Sequence, residues 1–126
     1  MTTLFSIIES PMQPKLSGLY QQLGITEVRL PSIRKAISEL KKQPPDIVVA
    51  EFFYGYGNNY AGVNISNLDV FLFSLQKFAP KAKVIVLVDK AEHHYVDKLN
   101  NIIPLFAVLT QPVYEMDIRK LLSDAE

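Results

Sequence analysis

One carboxylate stands where the chemistry of this chain is expected. Glu51 ends an apolar run over residues 47–50 that follows two prolines. Runs of this kind are typical of strands buried on both faces of a parallel sheet. Ligands of open α/β sheets bind just beyond the carboxyl ends of such strands. Any active site of such a fold should therefore surround Glu51.

The other residues with reactive side chains have simpler explanations. Asp89, with Glu92 three positions on, has the spacing of a helix capping box. His93 and His94 are adjacent, so on a helix they diverge by about 100° and cannot both face one metal ion. The absence of cysteine excludes disulfides, thiol catalysis and cysteine-bound zinc. We expect no enzyme activity, no metal and no cofactor.

The most distinctive stretch follows Glu51 directly. Residues 53–62 have the composition of a loop, with three glycines. The loop also carries an unusual set of aromatic side chains, namely Phe53, Tyr54, Tyr56 and Tyr60. Such side chains are enriched in binding surfaces. The alternative is that they fold back over an apolar pocket, and the sequence leaves both interpretations open.

Composition narrows the class of protein. A chain of 126 residues with 48% hydrophobic residues fits a single domain, residues 1–126, with a proper core. Its 13 basic and 13 acidic residues balance without a basic block, which disfavours nucleic-acid binding. No apolar run approaches the ~20 residues of a membrane helix, and no signal peptide precedes the first strand. We expect a cytoplasmic protein that contacts neither nucleic acid nor membrane.

Strands that alternate with helices must position these residues. Short apolar runs predict strands over residues 4–8, 25–30, 47–52, 83–88 and 105–109. Apolar residues at helical spacing predict a helix after each strand. The stripes are Leu16, Leu19, Tyr20 and Leu23; Ile33, Ala36, Ile37 and Leu40; Leu68, Phe71, Leu72, Leu75 and Phe78; Val96, Leu99 and Ile103; and Ile118, Leu121 and Leu122. Gly24 is placed to end the first helix, and Ser32 to cap the second.

The alternation predicts an α/β fold, (βα)5, with right-handed crossovers and helices on both faces of one parallel sheet. At this length the flavodoxin-like, doubly wound order 2-1-3-4-5 is the common solution. It places the first and third strands side by side. Glu9 and Glu51 would then be neighbours.

Three landmarks resemble the receiver domain of two-component response regulators, the CheY-like superfamily. They are the run PDIVVAE at residues 45–51, the apolar strand at residues 84–88, and the turn LTQP at residues 109–112. The resemblance covers nearly the whole chain. It implies a CheY-like fold and a role in bacterial-type signal transduction.

The positions that carry phosphoryl chemistry in receivers are altered in this chain. Receivers hold Mg²⁺ with an acidic pair, accept the phosphoryl group on aspartate, and contact it with a hydroxyl residue and a lysine before proline. The matching residues here are Glu9 and Ser10, Glu51, Val88, and Gln111 before Pro112, while Val108 replaces the switch aromatic. Phosphoryl transfer depends on charge neutralisation by metal and cation. The resemblance therefore implies a degenerate pseudo-receiver, in which Glu51 is either a fixed mimic of the phosphorylated state or a carboxylate hydrogen-bonded to Gln111.

Two functions remain open. The first is a phosphorylation-independent protein-interaction module that docks a signalling protein through the aromatic loop. By resemblance it would also use the face of the fourth helix, fifth strand and last helix, where receivers form dimers, and where this chain carries Tyr95, Phe106 and Tyr114. The second is a flavodoxin-like small-ligand binder whose aromatic loop stacks on a flat ring. The prolines after Ser10 lack the N–H donors of a phosphate loop, which favours the first function.

Overall fold

The computed structural model of the protein describes residues 2–8, 16–52, 68–111 and 113–125. Its strands are β1 (Thr2–Ile7), β2 (Ile25–Arg29), β3 (Ile47–Glu51), β4 (Lys83–Val88) and β5 (Ala107–Thr110). All neighbouring strands are parallel, in the order β2-β1-β3-β4-β5. This confirms the predicted flavodoxin-like sheet and its strand order.

The helices are α1 (Ser17–Gln22), α2 (Ile33–Leu40), α3 (Asp69–Phe78), α4 (His93–Val96) and α5 (Glu115–Ala125). Buried side chains of α2, α3 and α4 share one apolar cluster with Val48 and Val86. Those of α1 and α5 share a second cluster with Val49 and Leu87. Alternate residues of a strand point to opposite faces of the sheet, so the two clusters are its two sides. Among the described residues, no helix is long and apolar enough to cross a membrane.

Two local signals in the sequence end and begin helices as predicted. Gly24 follows α1 with a φ of 72°, a left-handed conformation that glycine adopts without a Cβ clash. Ser32 precedes α2, and its hydroxyl oxygen accepts a hydrogen bond from the backbone N–H of Lys35 at 3.2 Å. This bond satisfies a donor that the first turn of a helix leaves without an intrahelical partner.

The predicted fourth helix differs from the observed one. A single α-helical turn, α4, lies between two 3₁₀ segments, Lys90–Glu92 and Asp97–Asn101. Asp89 does cap the segment, because its carboxylate accepts a hydrogen bond from the backbone N–H of Ala91 at 2.9 Å. Val96 and Leu99 are buried as predicted. Their spacing of three residues also matches a 3₁₀ helix, so the stripe identified the buried face without defining the winding.

Two further boundaries are corrected. The fifth strand was predicted from residue 105, but Leu105 donates its backbone N–H to the side-chain oxygen of Asn100 at 3.0 Å. That bond ties Leu105 to the preceding turn, and β5 begins at Ala107. Phe78, predicted to be part of the core stripe, is the last residue of α3 and is 41% exposed. The ammonium group of Lys77 lies 5.7 Å from the centre of its ring.

Candidate functional site

The carboxyl ends of β3, β4 and β5 bring together three of the residues predicted for the degenerate phospho-acceptor pocket. Glu51 is in register with Leu87, and Val88 with Thr110. The backbone N–H of Phe52 donates to the Leu87 carbonyl at 2.8 Å, and that of Gln111 donates to the Val88 carbonyl at 2.8 Å. Glu51, Val88 and Gln111 therefore share one edge of the sheet, as the receiver landmarks predicted.

The remaining pocket residues, Glu9, Ser10 and Pro112, lie outside the described residues. The expected proximity of Glu9 to Glu51 therefore stays a prediction.

The described part of this edge is buried. Glu51 is 1% exposed, Val88 is 0% exposed and Phe52 is 2% exposed. Burying a carboxylate is costly unless other groups stabilise it, and Glu51 does have an interaction partner. The arrangement thus holds the Glu51 side chain inside the protein.

Sequence reasoning missed a second buried carboxylate. Asp69, in the first turn of α3, is 3% exposed. In a doubly wound parallel sheet, a helix begins at the carboxyl edge of the strand that precedes it. Asp69, in the helix that follows β3, therefore belongs to the same end of the molecule as Glu51. An acidic residue at the start of a helix is favoured by the helix dipole. That placement indicates the first turn of a helix, but it does not indicate burial.

The described groups at this edge have limited chemistry. Val88 has no hydroxyl with which to contact an oxyanion, and Gln111 has no charge to neutralise one. In the ranges that the structure describes, no group of three or more His, Cys, Asp or Glu residues could hold a metal ion. His93 and His94 are both exposed, as predicted for two solvent-facing helix residues.

The second predicted surface is divided into separate parts. Tyr114 is 62% exposed and Phe106 is 36% exposed, whereas Tyr95 is half-buried and packs against the core. Phe106 precedes β5 and Tyr114 follows it, so the two rings lie near opposite ends of the strand. The ammonium group of Lys83 lies 5.5 Å from the centre of the Phe106 ring. Met116, which the sequence did not single out, is 79% exposed near Tyr114 in the chain.

The aromatic loop is not part of this geometry. Phe53, Tyr54, Tyr56 and Tyr60 lie outside the described residues. Their role, as a protein-binding loop, a ring-stacking loop or a cover over the core, stays a prediction.

The comparisons with known proteins agree with this architecture. No protein-family model matches the chain, and no curated protein matches its sequence. Its structure matches a response regulator receiver domain from Clostridium thermocellum with a TM-score of 0.72 and 16% identity, over 99% of this chain and 94% of that one. The protein has the receiver-domain fold. The resemblance to receivers found in the sequence is thereby confirmed in three dimensions.

Two other solved structures show how widely this receiver fold matches. The BeF3-activated receiver domain of DrrB has a TM-score of 0.75 and 13% identity, over 99% of this chain and 97% of that one. The pilus assembly protein CpaE from Caulobacter crescentus has a TM-score of 0.64 and 17% identity, over 97% of this chain and 91% of that one. At these identities the likeness shows the fold, and function must be argued from the residues.

Proposed function

We propose that this receiver-fold protein is a non-catalytic module of signal transduction that works through protein contacts and without phosphorylation. The observation that carries the proposal is the burial of Glu51 and Val88 at the carboxyl ends of β3 and β4, at 1% and 0% exposure. A phosphoryl acceptor must meet both its donor and a metal ion in an accessible site. A carboxylate that is 1% exposed is poorly suited to that reaction.

The residues at the positions that match a receiver's phosphoryl site support the same proposal on electrostatic grounds. A transferred phosphoryl group carries charge that metal ions and cationic side chains must neutralise. Here Gln111 stands at the lysine position, Ser10 replaces one of the two metal-binding acids, and Val88 replaces the hydroxyl residue. The side chain of Glu51 is one methylene longer than that of aspartate, which moves its oxygens away from the position needed for in-line attack.

Exposed aromatic side chains support contact with a protein. Tyr114 at 62% exposure and Phe106 at 36% exposure flank β5 in the chain, and by resemblance to receivers they belong to the face of α4, β5 and α5. Aromatic residues of this kind commonly anchor protein interfaces. Glu51 undergoes no charge change in this proposal, so contacts through this face are constitutive. The proposed partners are a signalling protein and a second copy of this chain, with the aromatic loop at residues 53–62 as a further contact.

The test is a direct attempt to load the site. The protein is incubated with acetyl phosphate and Mg²⁺, and its intact mass is measured beside that of an active receiver domain treated in the same way. We expect the active receiver to gain one phosphate and this chain to gain none. A phosphate on this chain would overturn the proposal. So would saturable beryllofluoride-dependent NMR shifts around Glu51.

A further inference from the structure

Two neighbouring helices, α2 and α3, cover the same face of the sheet. They contact each other, and their buried side chains belong to one apolar cluster. Their solvent-facing sides therefore lie next to each other and point away from the sheet in the same direction. The exposed side chains of residues 33–42 and 69–78 are called the α2–α3 surface below.

The α2 part of this surface is basic. Its exposed cations are Arg34, Lys35, Lys41 and Lys42. Residues of a helix are about 100° apart, so Arg34 and Lys35 point away from the side of α2 that carries the buried Leu40. The one acidic residue in this range, Glu39, is half-buried, and its carboxylate accepts a hydrogen bond from the side-chain amide of Gln43 at 2.7 Å. The α2 part thus presents an excess of positive charge to solvent.

The α3 part of the surface is apolar. Val70 is 47% exposed and Phe73 is 55% exposed, and Lys77 is exposed as well. Spacings of three and four residues place these three side chains in one row, on the side of α3 opposite the buried Leu75. Large apolar side chains exposed in a row are typical of a surface that contacts another apolar phase or molecule.

The charges of the whole chain balance, but their distribution does not. Residues 89–98 and residues 115–125 each contain three acidic and two basic side chains. Residues 33–42 contain four basic side chains and one acidic one. The formal charge of zero therefore conceals a local concentration of positive charge on the α2–α3 surface.

We propose that the α2–α3 surface binds to the face of an anionic lipid bilayer. Lysine and arginine side chains are attracted by the negative surface potential of such a bilayer. Exposed apolar side chains of a helix insert at the boundary between headgroups and acyl chains. In this arrangement Val70 and Phe73 insert at that boundary, while the cations of α2 and Lys77 lie among the headgroups.

The sequence predicted no membrane contact because it has no long apolar run. Such a run is needed by a helix that spans a bilayer, whereas a helix that lies on the bilayer needs only cations and a few apolar side chains. The α2–α3 surface has both, contributed by two adjacent helices.

The kind of cation favours a bilayer over an acidic protein. Of the five cations on the α2–α3 surface, four are lysines. Lysine is depleted in protein interfaces. Its compact charge on a long flexible stem suits headgroups that have no fixed positions, and the stem itself can lie along apolar surface.

The first test is sedimentation of the full chain with vesicles. One set of vesicles contains equal amounts of phosphatidylserine and phosphatidylcholine, and the other contains phosphatidylcholine alone. We expect the protein to sediment with the anionic vesicles only. Binding should weaken when the salt concentration rises from about 0.1 M to about 1 M, because the Debye length falls from ~10 Å to ~3 Å.

Matched charge reversals locate the contact. Arg34→Glu with Lys35→Glu changes an adjacent pair in α2 and should weaken binding by roughly tenfold or more. Arg119→Glu with Lys120→Glu is the control, because it changes an equivalent adjacent pair in α5, whose buried side chains lie on the opposite face of the sheet. The control has the same net charge and should bind nearly as well as the unaltered chain. Circular dichroism checks that both variants are folded.

A fluorescent reporter tests the apolar part separately. The chain contains no tryptophan, so Phe73→Trp introduces a single one on the α2–α3 surface. We expect its emission to shift to shorter wavelength with anionic vesicles, since the ring leaves water. Phe106→Trp, at an exposed site before β5, is the control and should show no shift.

Three results would overturn the proposal: no sedimentation with anionic vesicles at the lower salt concentration, equal losses from the two charge reversals, or an unshifted Phe73→Trp emission in vesicle-bound protein. Tighter binding to poly-glutamate or to duplex DNA than to the vesicles would also overturn it, and would assign the surface to an acidic protein or to a nucleic acid. None of these results bears on phosphate uptake, so a failure here is distinguishable from a failure of the proposed function.

Discussion

β4 and β5 are hydrogen-bonded neighbours with opposite environments. Every residue from 84 to 88 in β4 is 0% exposed, whereas Ala107, Val108 and Leu109 in β5 are half-buried and Thr110 is exposed. Receivers carry part of their phosphoryl site at the end of the fourth strand, and here that position is core. The partly exposed side chains of this pair of strands lie on β5 instead. Within the receiver fold of this chain, the end of β4 is therefore enclosed while β5 is partly exposed.

The difference follows from how a doubly wound sheet is covered. A central strand has strands on both sides and helices on both faces, so an apolar side chain at its end is enclosed unless polar groups keep a cleft open. At the end of β4, Val88 stands where a receiver has a hydroxyl residue. An outer strand lacks cover along one edge whatever its sequence. Matched substitutions in β4 and β5 can therefore compare how strongly each strand is enclosed.

The largest expected effect comes from a pair of leucines in register, Leu87 in β4 and Leu109 in β5. Leu87→Ala should lower the free energy of unfolding by about 2–5 kcal/mol, because it leaves a cavity in a fully buried site. Leu109→Ala should cost about half as much or less, since part of that side chain already contacts water. Urea unfolding of both variants measures the contrast. Equal losses would show that the edge strand is as enclosed as the central one.

A hydroxyl at the end of β4 should have the next largest effect. Val88→Thr restores the residue type that receivers use, but it buries a hydroxyl and should destabilise the protein by about 1–3 kcal/mol. Val108→Thr, in the half-buried strand, should cost less than about 1 kcal/mol. Neither variant should gain mass with acetyl phosphate, because the charge-neutralising residues are still missing. A stable Val88→Thr variant would indicate that this edge contains room and a hydrogen-bond partner.

A buried hydroxyl on the other face of the sheet sharpens the same comparison. Tyr20 in α1 is 1% exposed, and within the described residues its hydroxyl is the one buried side-chain polar atom without a hydrogen-bond partner. A phenol in this position loses its bonds to water without replacement. Tyr20→Phe should therefore leave the free energy of unfolding unchanged or raise it by up to about 1 kcal/mol. A clear decrease in the free energy of unfolding of Tyr20→Phe would instead reveal a hydrogen-bond partner for the hydroxyl in solution.

The same residue predicts a dependence on pH. Burial, and secondarily the charge of Glu27, raises the pKa of the Tyr20 hydroxyl well above its usual value. The folded state binds this proton more tightly than the unfolded state does. The stabilisation that the Tyr20 proton contributes is therefore fully present below about pH 10. It is lost as the pH rises toward the folded-state pKa. Unfolding of Tyr20→Phe should accordingly depend less on pH than unfolding of the unaltered chain in this alkaline range.

The smallest expected change in stability lies beyond the end of β5. Tyr114→Ala removes a ring that is 62% exposed, so the free energy of unfolding should change by less than about 0.5 kcal/mol. Tyr95→Ala is the control on the same face, and it should cost more because Tyr95 packs against the core. Thermal unfolding compares the two variants. A large loss in Tyr114→Ala would assign that ring to packing and remove it from the proposed contact surface.

The strands that position the candidate site were largely predictable, because the residue types along each strand determine them. The bounds of β4 agree with the prediction, since a continuous apolar run between a turn and Asp89 has one interpretation at that length. Glu51, Val88 and Gln111 meet at one edge because parallel strands end together. Burial of Asp69 was not predictable in the same way. An acidic residue in a first helical turn is normally exposed, and only the packing around it encloses it.

The sequence by itself determined the order of elements, their buried faces and the residue types at the positions that resemble a receiver's site, because periodicity, caps and residue types are local properties. Tertiary structure alone decided three other features. The fourth helix is wound mainly as 3₁₀, because a stripe with a three-residue spacing packs in either geometry. β5 begins at Ala107, because Asn100 binds the backbone of Leu105. Glu51 is enclosed rather than accessible, because exposure at a strand end depends on which side chains neighbouring elements place over it.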